Sequence, residues 1–210
     1  MLKVSILVVG PVQTNCYIVS DEKEAVIIDP GENAKGIMKK LVDLGVKPAA
    51  ILLTHGHFDH ITAVPELLEA YPGTPLYAYK EEKILLENAH YNESDSMGAG
   101  GIVLKTVTYL EDGAELDLLG EKWKLIATPG HTIGSCCYYI ESAKALFSGD
   151  TLFAGDCGRT DLATGNMQSI LHSIREVLMQ LPDDVTVLPG HEEMTSIGVE
   201  RKRNIVMRMK

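Results

Sequence analysis

The stretch that most constrains the fold is residues 54–60, Thr-His-Gly-His-Phe-Asp-His, which directly follow an apolar run. That run, residues 49–53, predicts a buried strand of a sheet covered on both faces. The polar segment would then lie in the loop at the strand's carboxyl end, where α/β sheets usually place their ligands. Four of its side chains are of metal-ligand type: His55, His57, Asp59 and His60. Imidazole with carboxylate is a donor set for Zn²⁺ and for non-haem iron.

Three further candidate ligands follow other strand-like runs. Each comes after an apolar strand and a glycine: His131, Asp150 and His191. The glycine allows a sharp turn or a close backbone approach just before the ligand. A zinc centre needs about four to five donors per ion, so residues 54–60 cannot complete a site alone. We expect the three strand-end residues to complete it.

Composition narrows the class of protein. The 210 residues, 45% of them hydrophobic, suit one globular domain over residues 1–210. The net charge of −10 argues against nucleic acid as the default partner. The apolar run at residues 4–9 is too short to span a membrane and lacks a clear cleavage site. We therefore predict a cytoplasmic protein without membrane attachment; the oligomeric state is left open.

Four cysteines are present: Cys16, Cys136, Cys137 and Cys157. In a cytosolic protein we expect them to be reduced and mostly buried as small apolar side chains. Cys157 lies seven residues after Asp150 and could line the site, although a structural role is the simpler interpretation. His90 and His172 follow no strand and are expected outside the site.

Hydrophobic periodicity predicts strands at 3–9, 15–20, 24–29, 49–53, 75–79, 136–140, 144–148 and 185–188, with interrupted strands over 102–128. Helices are predicted at 33–44, 63–70, 80–88, 166–180 and about 197–208. Residues 88–101 are predicted to form a surface loop near the active-site mouth. The order, strands then helices twice over, predicts an α/β (α+β) protein with two sheets packed face to face and helices outside. This is a four-layer αββα sandwich.

Asp29 has two interpretations. It ends the third predicted strand within Ile-Asp-Pro-Gly at 28–31, where it could simply form the turn. Alternatively, its carboxylate could hold the histidine loop, since outer carboxylates commonly orient metal ligands.

In this order, the motifs resemble the metallo-β-lactamase superfamily. The matching segments are residues 28–31, 54–60, 128–132 (Thr-Pro-Gly-His-Thr), 148–153 (Ser-Gly-Asp-Thr-Leu-Phe) and 189–191 (Pro-Gly-His). The resemblance implies two adjacent metal positions. It assigns His55, His57 and His131 to the first position, and Asp59, His60 and His191 to the second. Asp150 would bridge two divalent ions, with Zn favoured and Fe or Mn acceptable.

Within the superfamily, the residues favour one branch. The commonest β-lactamases carry Cys where Asp150 stands and Arg where His60 stands, and flavodiiron proteins carry Glu in place of His57. Ribonuclease-type members usually have a larger substrate arm or an extra domain. Residues 149–153 and 157–159 are similar to the glyoxalase II (hydroxyacylglutathione hydrolase) branch, in a short form.

This chain also departs from the glyoxalase II branch. It ends before that branch's helical domain. Arg159 replaces a typical Lys and is the candidate substrate-binding residue, while Asp161 and Glu193 stand where tyrosines are typical.

The leading hypothesis is a binuclear hydrolase of small thioesters or related acyl compounds. A hydroxide bridging the two ions would attack the carbonyl, while Asp59 and Asp150 orient it and accept its proton. The alternative is a mononuclear iron persulfide dioxygenase, which residues 157–161 also resemble. It would hold iron with His55, with His131 or His57, and with Asp150. A third hypothesis is a non-catalytic metal-binding domain. It agrees poorly with an open site rich in carboxylate and histidine.

Overall fold

The computed structural model describes residues 2–209, which form two six-stranded sheets. The first sheet contains β1 (Lys3–Val9), β2 (Thr14–Ser20), β3 (Glu24–Ile28), β4 (Lys47–Leu52), β5 (Leu76–Tyr79) and β6 (Thr108–Leu110). The second contains β7 (Glu115–Leu118), β8 (Glu121–Ala127), β9 (Cys136–Ile140), β10 (Ala145–Gly149), β11 (Thr186–Pro189) and β12 (Thr195–Ser196). Each sheet keeps its strands in chain order. Strands β3 to β6 are parallel, as are β10 and β11.

The helices are α1 (Ala34–Leu44), α2 (Phe58–Ile61), α3 (Val64–Ala70), α4 (Lys83–Leu86), α5 (Met167–His172) and α6 (Ile197–Arg203). Helix α1 begins at Asn33, whose side chain accepts a hydrogen bond from the Gly36 N–H at 3.1 Å. It ends at Gly45, whose φ of 71° is favourable for glycine. Local capping chemistry therefore sets the bounds of α1 close to those predicted.

Three apolar clusters lie in three separate interfaces. Between the sheets, Tyr17, Ile28, Leu52, Trp123 and Phe147 are buried together. A second cluster joins the first sheet to α1 and α3, and a third joins the second sheet to α5 and α6. Successive residues of β2 alternate between two clusters because side chains along a strand point to opposite faces. The predicted four-layer αββα sandwich is confirmed.

The structure corrects several predicted elements. Residues 102–107 run without regular structure, and the short strand β12 was not predicted. The helix predicted at 80–88 is a 3₁₀ turn, Lys80–Glu82, followed by the short α4. The helix predicted at 166–180 opens into a π turn at Ser173–Val177 and tightens to 3₁₀ at Leu178–Gln180.

The last predicted helix is also shorter than expected. Helix α6 stops at Asn204, whose backbone turns extended (ψ 136°) and whose side chain accepts from the Val206 N–H at 2.9 Å. A 3₁₀ turn, Ile205–Arg208, follows. An asparagine side chain that bonds to nearby backbone competes with the helix, and this ends α6 early.

All four cysteines are free thiols, and Cys16, Cys136 and Cys137 are buried as predicted. Cys157 is half-buried and packs beside the third apolar cluster. Burial raises the pKa of its thiol to about 11, so the thiolate is scarce at neutral pH. These contacts favour the structural interpretation of Cys157.

Within residues 2–209, every helix is too short or too polar to cross a bilayer. The predicted cytoplasmic location stays a prediction.

Candidate metal centre

The histidine segment lies at the carboxyl end of β4, as the sequence predicts. Thr54 donates from its backbone N–H and its hydroxyl to the two carboxylate oxygens of Asp29, at 2.8 and 2.6 Å. Part of the segment is helical rather than loop, since α2 begins immediately after His57. The first turn of α2 carries Asp59 and His60, and this turn brings both side chains back toward the strand ends.

The structure brings all seven predicted ligands together. Their ligand atoms form three overlapping groups, each within 4.8 Å: His55–His57–His131, His55–His60–Asp150 and Asp59–His60–His191. The first and third groups are the two positions that the resemblance implies, and we call them the three-histidine position and the Asp59 position. The metal-ligand roles themselves remain predictions.

Asp150 lies between the two positions. One carboxylate oxygen is 3.4 Å from Nε2 of His60, and the other is 3.6 Å from Nε2 of His131 and 3.4 Å from Nε2 of His191. A single carboxylate therefore reaches histidines of both positions, which is the geometry that a bridging ligand requires.

The glycines before the ligands leave no room for side chains. Gly149 has a φ of 48°, and a Cβ there would overlap the Thr54 hydroxyl. A Cβ on Gly190 would overlap the Asp150 carboxylate. Close backbone approach at these two positions is what allows strands from different sheets to present ligands to one point.

Hydrogen bonds orient the imidazole rings. Nδ1 of His131 donates to the Arg159 carbonyl at 2.7 Å, which leaves the Nε2 lone pair facing Nδ1 of His57 at 2.9 Å. Nδ1 of His60 lies 3.0 Å from the Asp29 carboxylate. Asp29 is 2% exposed with a φ of 50°. It therefore makes the turn and contacts the histidine segment, so both interpretations of it have a structural basis.

The donors suit a divalent cation. Several buried polar atoms have no hydrogen-bond partner within residues 2–209: Nε2 of His55, His57 and His60, and Oδ1 of Asp150. An unsatisfied buried polar group costs about 1–3 kcal/mol. Cations shared among these atoms would satisfy several of them at once, and histidine with carboxylate is a donor set for Zn, Fe or Mn.

The two positions differ in charge. Burial lowers the pKa of His55 and lowers that of His57 to about 3, so both rings are neutral. Burial alone would raise the pKa of Asp59 and Asp150, but nearby His60 and His191 lower it. Both carboxylates are therefore anions at neutral pH. The same contacts reverse the effect of burial on His191 and raise its pKa to about 9.

Several contacts around the ligands come from residues that the sequence analysis missed. The Thr14 hydroxyl donates to Asp59 at 2.8 Å. Asn15 and Tyr17 donate to the Pro189 carbonyl at 3.0 and 2.7 Å, which holds the turn before His191. These residues begin β2 and precede their partners by 45 to 174 positions. No local sequence signal identifies such partners.

Glu82 was also missed in the sequence analysis. Its side chain is fully buried, and it accepts hydrogen bonds from Gly56, Thr132 and Gly134. Burial raises its pKa to about 7, while those three hydrogen bonds oppose the rise. One signal could have found it: Glu82 follows β5, which is parallel to β4, so both strands end at the same edge of the sheet.

An open cleft of about 480 Å³ leads to the centre. Its walls include three candidate ligands and five other residues: His131, Asp150, His191, Val12, Gln13, Phe153, Arg159 and Glu192. Arg159 lines this cleft, and its guanidinium makes two 2.7 Å hydrogen bonds to Asp161. Its role as a substrate-binding residue stays a prediction.

A second cavity, of about 360 Å³, lies beside Asp59 and is partly walled by Met97–Gly100. The predicted loop at 88–101 thus borders the site, but it is not wholly on the surface. Asn92 and Ser94 are fully buried, and the Asn92 carbonyl accepts the Phe58 N–H at 2.8 Å. His90 and His172 are exposed and lie outside the three ligand groups, as expected.

A family model described as the metallo-beta-lactamase superfamily matches residues 9–191. This chain belongs to that superfamily. The fold and the order of the motifs agree with the sequence-based resemblance. As a superfamily member with a His/Asp cluster suited to divalent metals, it is related to metal-dependent hydrolases.

Two relatives cover nearly the whole chain. The probable metallo-hydrolase YqgX of Bacillus subtilis is 39% identical over 197 residues, 93% of each chain. The hydroxyacylglutathione hydrolase GloC of Haemophilus influenzae is 32% identical over 206 residues, 97% of each chain.

Two solved structures are also similar to this chain over nearly its whole length. The crystal structure of the B3 metallo-beta-lactamase BLEG-1 is 37% identical, with a TM-score of 0.91 over 100% of both chains. TTHA1623 in a di-iron-bound form is 32% identical, with a TM-score of 0.82 over 96% of this chain and 98% of that one.

Proposed function

We propose that this protein is a binuclear metallohydrolase that cleaves small thioesters or related acyl compounds. The observation that carries the proposal is the Asp150 carboxylate, which lies within 3.6 Å of histidines from both positions and opens onto a cleft. A relative named as a hydroxyacylglutathione hydrolase, 32% identical over nearly the full length, supports the thioester class.

His55, His57 and His131 would hold one ion, and Asp59, His60 and His191 the other, with Asp150 shared between them. Two such divalent cations, when bound, supply Lewis acidity that polarises the substrate carbonyl and lowers the pKa of water to about 7. Zinc is the proposed metal. The di-iron form of TTHA1623 makes iron the first alternative to test.

The chain's own residues direct the attack. Asp59 and Asp150 are both anionic, so they can orient an attacking water and take its proton. Thr14 fixes one oxygen of Asp59 with a 2.8 Å hydrogen bond. A thiolate leaving group, with a pKa of about 8.5, needs little protonation near neutral pH. No separate general acid is required in this reaction.

Arg159 is proposed to bind the substrate at the cleft wall. Its pairing with Asp161 is exposed, and exposed ion pairs contribute little to stability because solvent and salt screen them. An anionic substrate group can therefore compete for the guanidinium.

A second candidate function is an iron-dependent oxygenase acting on a persulfide. Two histidines and one carboxylate form the facial triad of such iron sites, and His55, His60 and Asp150 lie within 4.8 Å of one another. This set uses His60, where the sequence analysis expected His131 or His57.

The test begins with metal content in protein purified without added metal. Two zinc ions per chain with turnover of lactoylglutathione is the expected result, and a chelator should abolish turnover until zinc is restored. One iron per chain with oxygen uptake on glutathione persulfide would replace the hydrolase with the oxygenase. Faster turnover of a β-lactam than of any thioester would reassign the substrate class, since BLEG-1 is 37% identical. Bound metal without turnover would indicate a binding domain.

A further inference from the structure

Glu82 joins two loops that come from different sheets. Its Oε1 accepts the Gly56 N–H at 2.6 Å, and Gly56 stands between His55 and His57. Its Oε2 accepts the Gly134 N–H and the Thr132 hydroxyl, both at 2.9 Å, on the turn that carries His131. One carboxylate therefore connects the backbone segments of all three members of the three-histidine position.

We propose that Glu82 is a positioning residue that sets the spacing of His55 and His57 relative to His131 and so determines metal affinity at the three-histidine position. The inference rests on the metal centre of the proposed function, but not on its substrate. Glu82 contacts none of the proposed ligands directly and acts through the backbone between and beside them.

The surroundings require a carboxylate at this position. Each carboxylate oxygen of Glu82 accepts from a backbone N–H, which can donate a hydrogen bond but cannot accept one. A glutamine would therefore turn its NH₂ group toward one of these N–H groups, whichever way the amide is flipped. Leu85 and Leu86 are fully buried beside Gly56, so no bulk water can relieve such a clash. The loop bearing the displaced N–H must move.

The chain offers a matched control in Glu200. This glutamate is also buried and also accepts three hydrogen bonds, from Gly155, Asn204 and the Thr195 hydroxyl. One of its oxygens faces only the Thr195 hydroxyl, which can turn and accept from an amide instead. None of its three partners is adjacent in sequence to a proposed ligand. Glu200→Gln therefore makes the same chemical exchange away from the three-histidine position.

The experiment uses a His191→Ala background, in which only the three-histidine position is expected to keep a full ligand set. The zinc dissociation constant is measured by competition with a chromophoric chelator for this background, and with Glu82→Gln or Glu200→Gln added. Glu82→Gln should weaken zinc binding about 10- to 100-fold, the usual effect of losing an outer partner of a metal site. Glu200→Gln should change it less than about threefold by the same scale.

A second readout separates positioning from general destabilisation. The cobalt-substituted protein should show a shifted visible absorption band in Glu82→Gln and an unchanged band in Glu200→Gln. Melting of the metal-free proteins reports stability alone. Parental zinc affinity in Glu82→Gln, or an equal loss in Glu200→Gln, would overturn the inference.

If Glu82→Gln does not fold, Thr132→Val removes one of the three donors and leaves Glu82 in place. This variant should weaken zinc binding in the same direction by about threefold or more, and unchanged affinity would count against the inference. If Glu82→Gln weakens zinc binding as expected but the unsubstituted protein hydrolyses no thioester, only the proposed function is overturned. A His191→Ala protein that binds no zinc would overturn the three-histidine position and the role of Glu82 together.

Discussion

The two proposed metal positions differ in how they hold charge. At the three-histidine position, His55, His57 and His131 are 1–3% exposed and offer only imidazole donors. At the Asp59 position, the carboxylate is 13% exposed and His191 is 20% exposed, and both face protonatable partners. The first is a buried set of imidazole rings, of which His55 and His57 are neutral. The second is an ionised cluster near solvent, in which a cation would replace protons that His60 and His191 otherwise carry.

This contrast implies that the two metal positions have different roles. A buried imidazole set favours retention of an ion, whereas a more exposed and charged position favours exchange and contact with substrate. Asp150 belongs to both positions, so changes there should have the largest effect. Changes confined to one position should separate the two.

Asp150→Asn should remove the carboxylate that the two metal positions share. An amide carries no negative charge and binds cations weakly, so we expect loss of one metal ion and a fall in kcat of about 10³-fold, by analogy with the loss of an electrostatic group in an active site. Metal analysis and thioester kinetics on the same preparation measure both effects. Two retained metal ions with full turnover would show that Asp150 does not bridge.

His57→Ala and His191→Ala should affect the two positions differently. The first removes a donor from the three-histidine position and should lower the affinity of the tighter-bound ion about 100-fold or more. The second should release the weaker ion and leave the tighter one within a few-fold of its original affinity. Stepwise titration with zinc under chelator competition distinguishes the two cases. Identical titration curves for the two variants would remove the distinction between a retaining and an exchanging position.

The pH dependence of stability should differ with and without metal. Burial alone would lower the pKa of His191, but hydrogen bonds to Asp150 and Asp59 raise it to about 9. A raised folded-state pKa stabilises the fold below the unfolded value near 6.5 and loses that contribution as the pH rises through 9. His191 alone should therefore cost the metal-free protein up to about 3 kcal/mol of unfolding free energy between pH 6.5 and pH 9.

In the zinc-loaded protein His191 would bind the ion in place of a proton, so the loss of unfolding free energy between pH 6.5 and pH 9 should be small. Denaturant unfolding of both forms at the two pH values measures the difference. His191→Ala is the control, because it removes one titrating ring and should make the metal-free profile less steep over the same range, while the raised pKa of His60 leaves the remaining slope. Equal slopes in the metal-free and zinc-loaded forms would contradict the ionised state of the Asp59 position.

Arg159→Ala should have the smallest effect. The variant keeps the backbone carbonyl that orients His131, so the three-histidine position should stay intact. Because the exposed guanidinium contributes little, KM for an anionic thioester should rise about 3- to 10-fold with kcat nearly unchanged. A neutral thioester serves as the matched substrate and should show no change. A fall in kcat for both substrates would indicate that Arg159 supports the metal centre instead.

The grouping of the seven candidate ligands was predictable because each carries a local signature. Residues 54–60 follow a strand without interruption, and His131, Asp150 and His191 each follow a strand and a glycine. The four layers were predictable for a related reason, since strand and helix periodicities follow from short windows. Both inferences depend only on neighbours along the chain.

The supporting contacts were not predictable in that way. Glu82 stands in Lys80-Glu81-Glu82-Lys83, which looks like the exposed face of a helix, and its partners are 26 to 52 residues away. The helical start at Phe58 was missed because residues 54–60 contain no capping signal. Asn204, whose side chain accepts from the Val206 N–H and so ends α6, also donates to the Asp156 and Phe153 carbonyls, which are 48 and 51 residues away.

The strand order described above has a topological consequence. The chain crosses one sheet from β1 to β6 and then builds the other from β7 to β12, so each proposed metal position takes donors from both halves of the sequence. His57 and His131, for example, are 74 residues apart. An ion at either position would therefore act as a long-range crosslink. It would close a loop in the chain, at the cost of conformational entropy that the loop has in the unfolded state. Metal binding and the association of the two halves would be one coupled equilibrium.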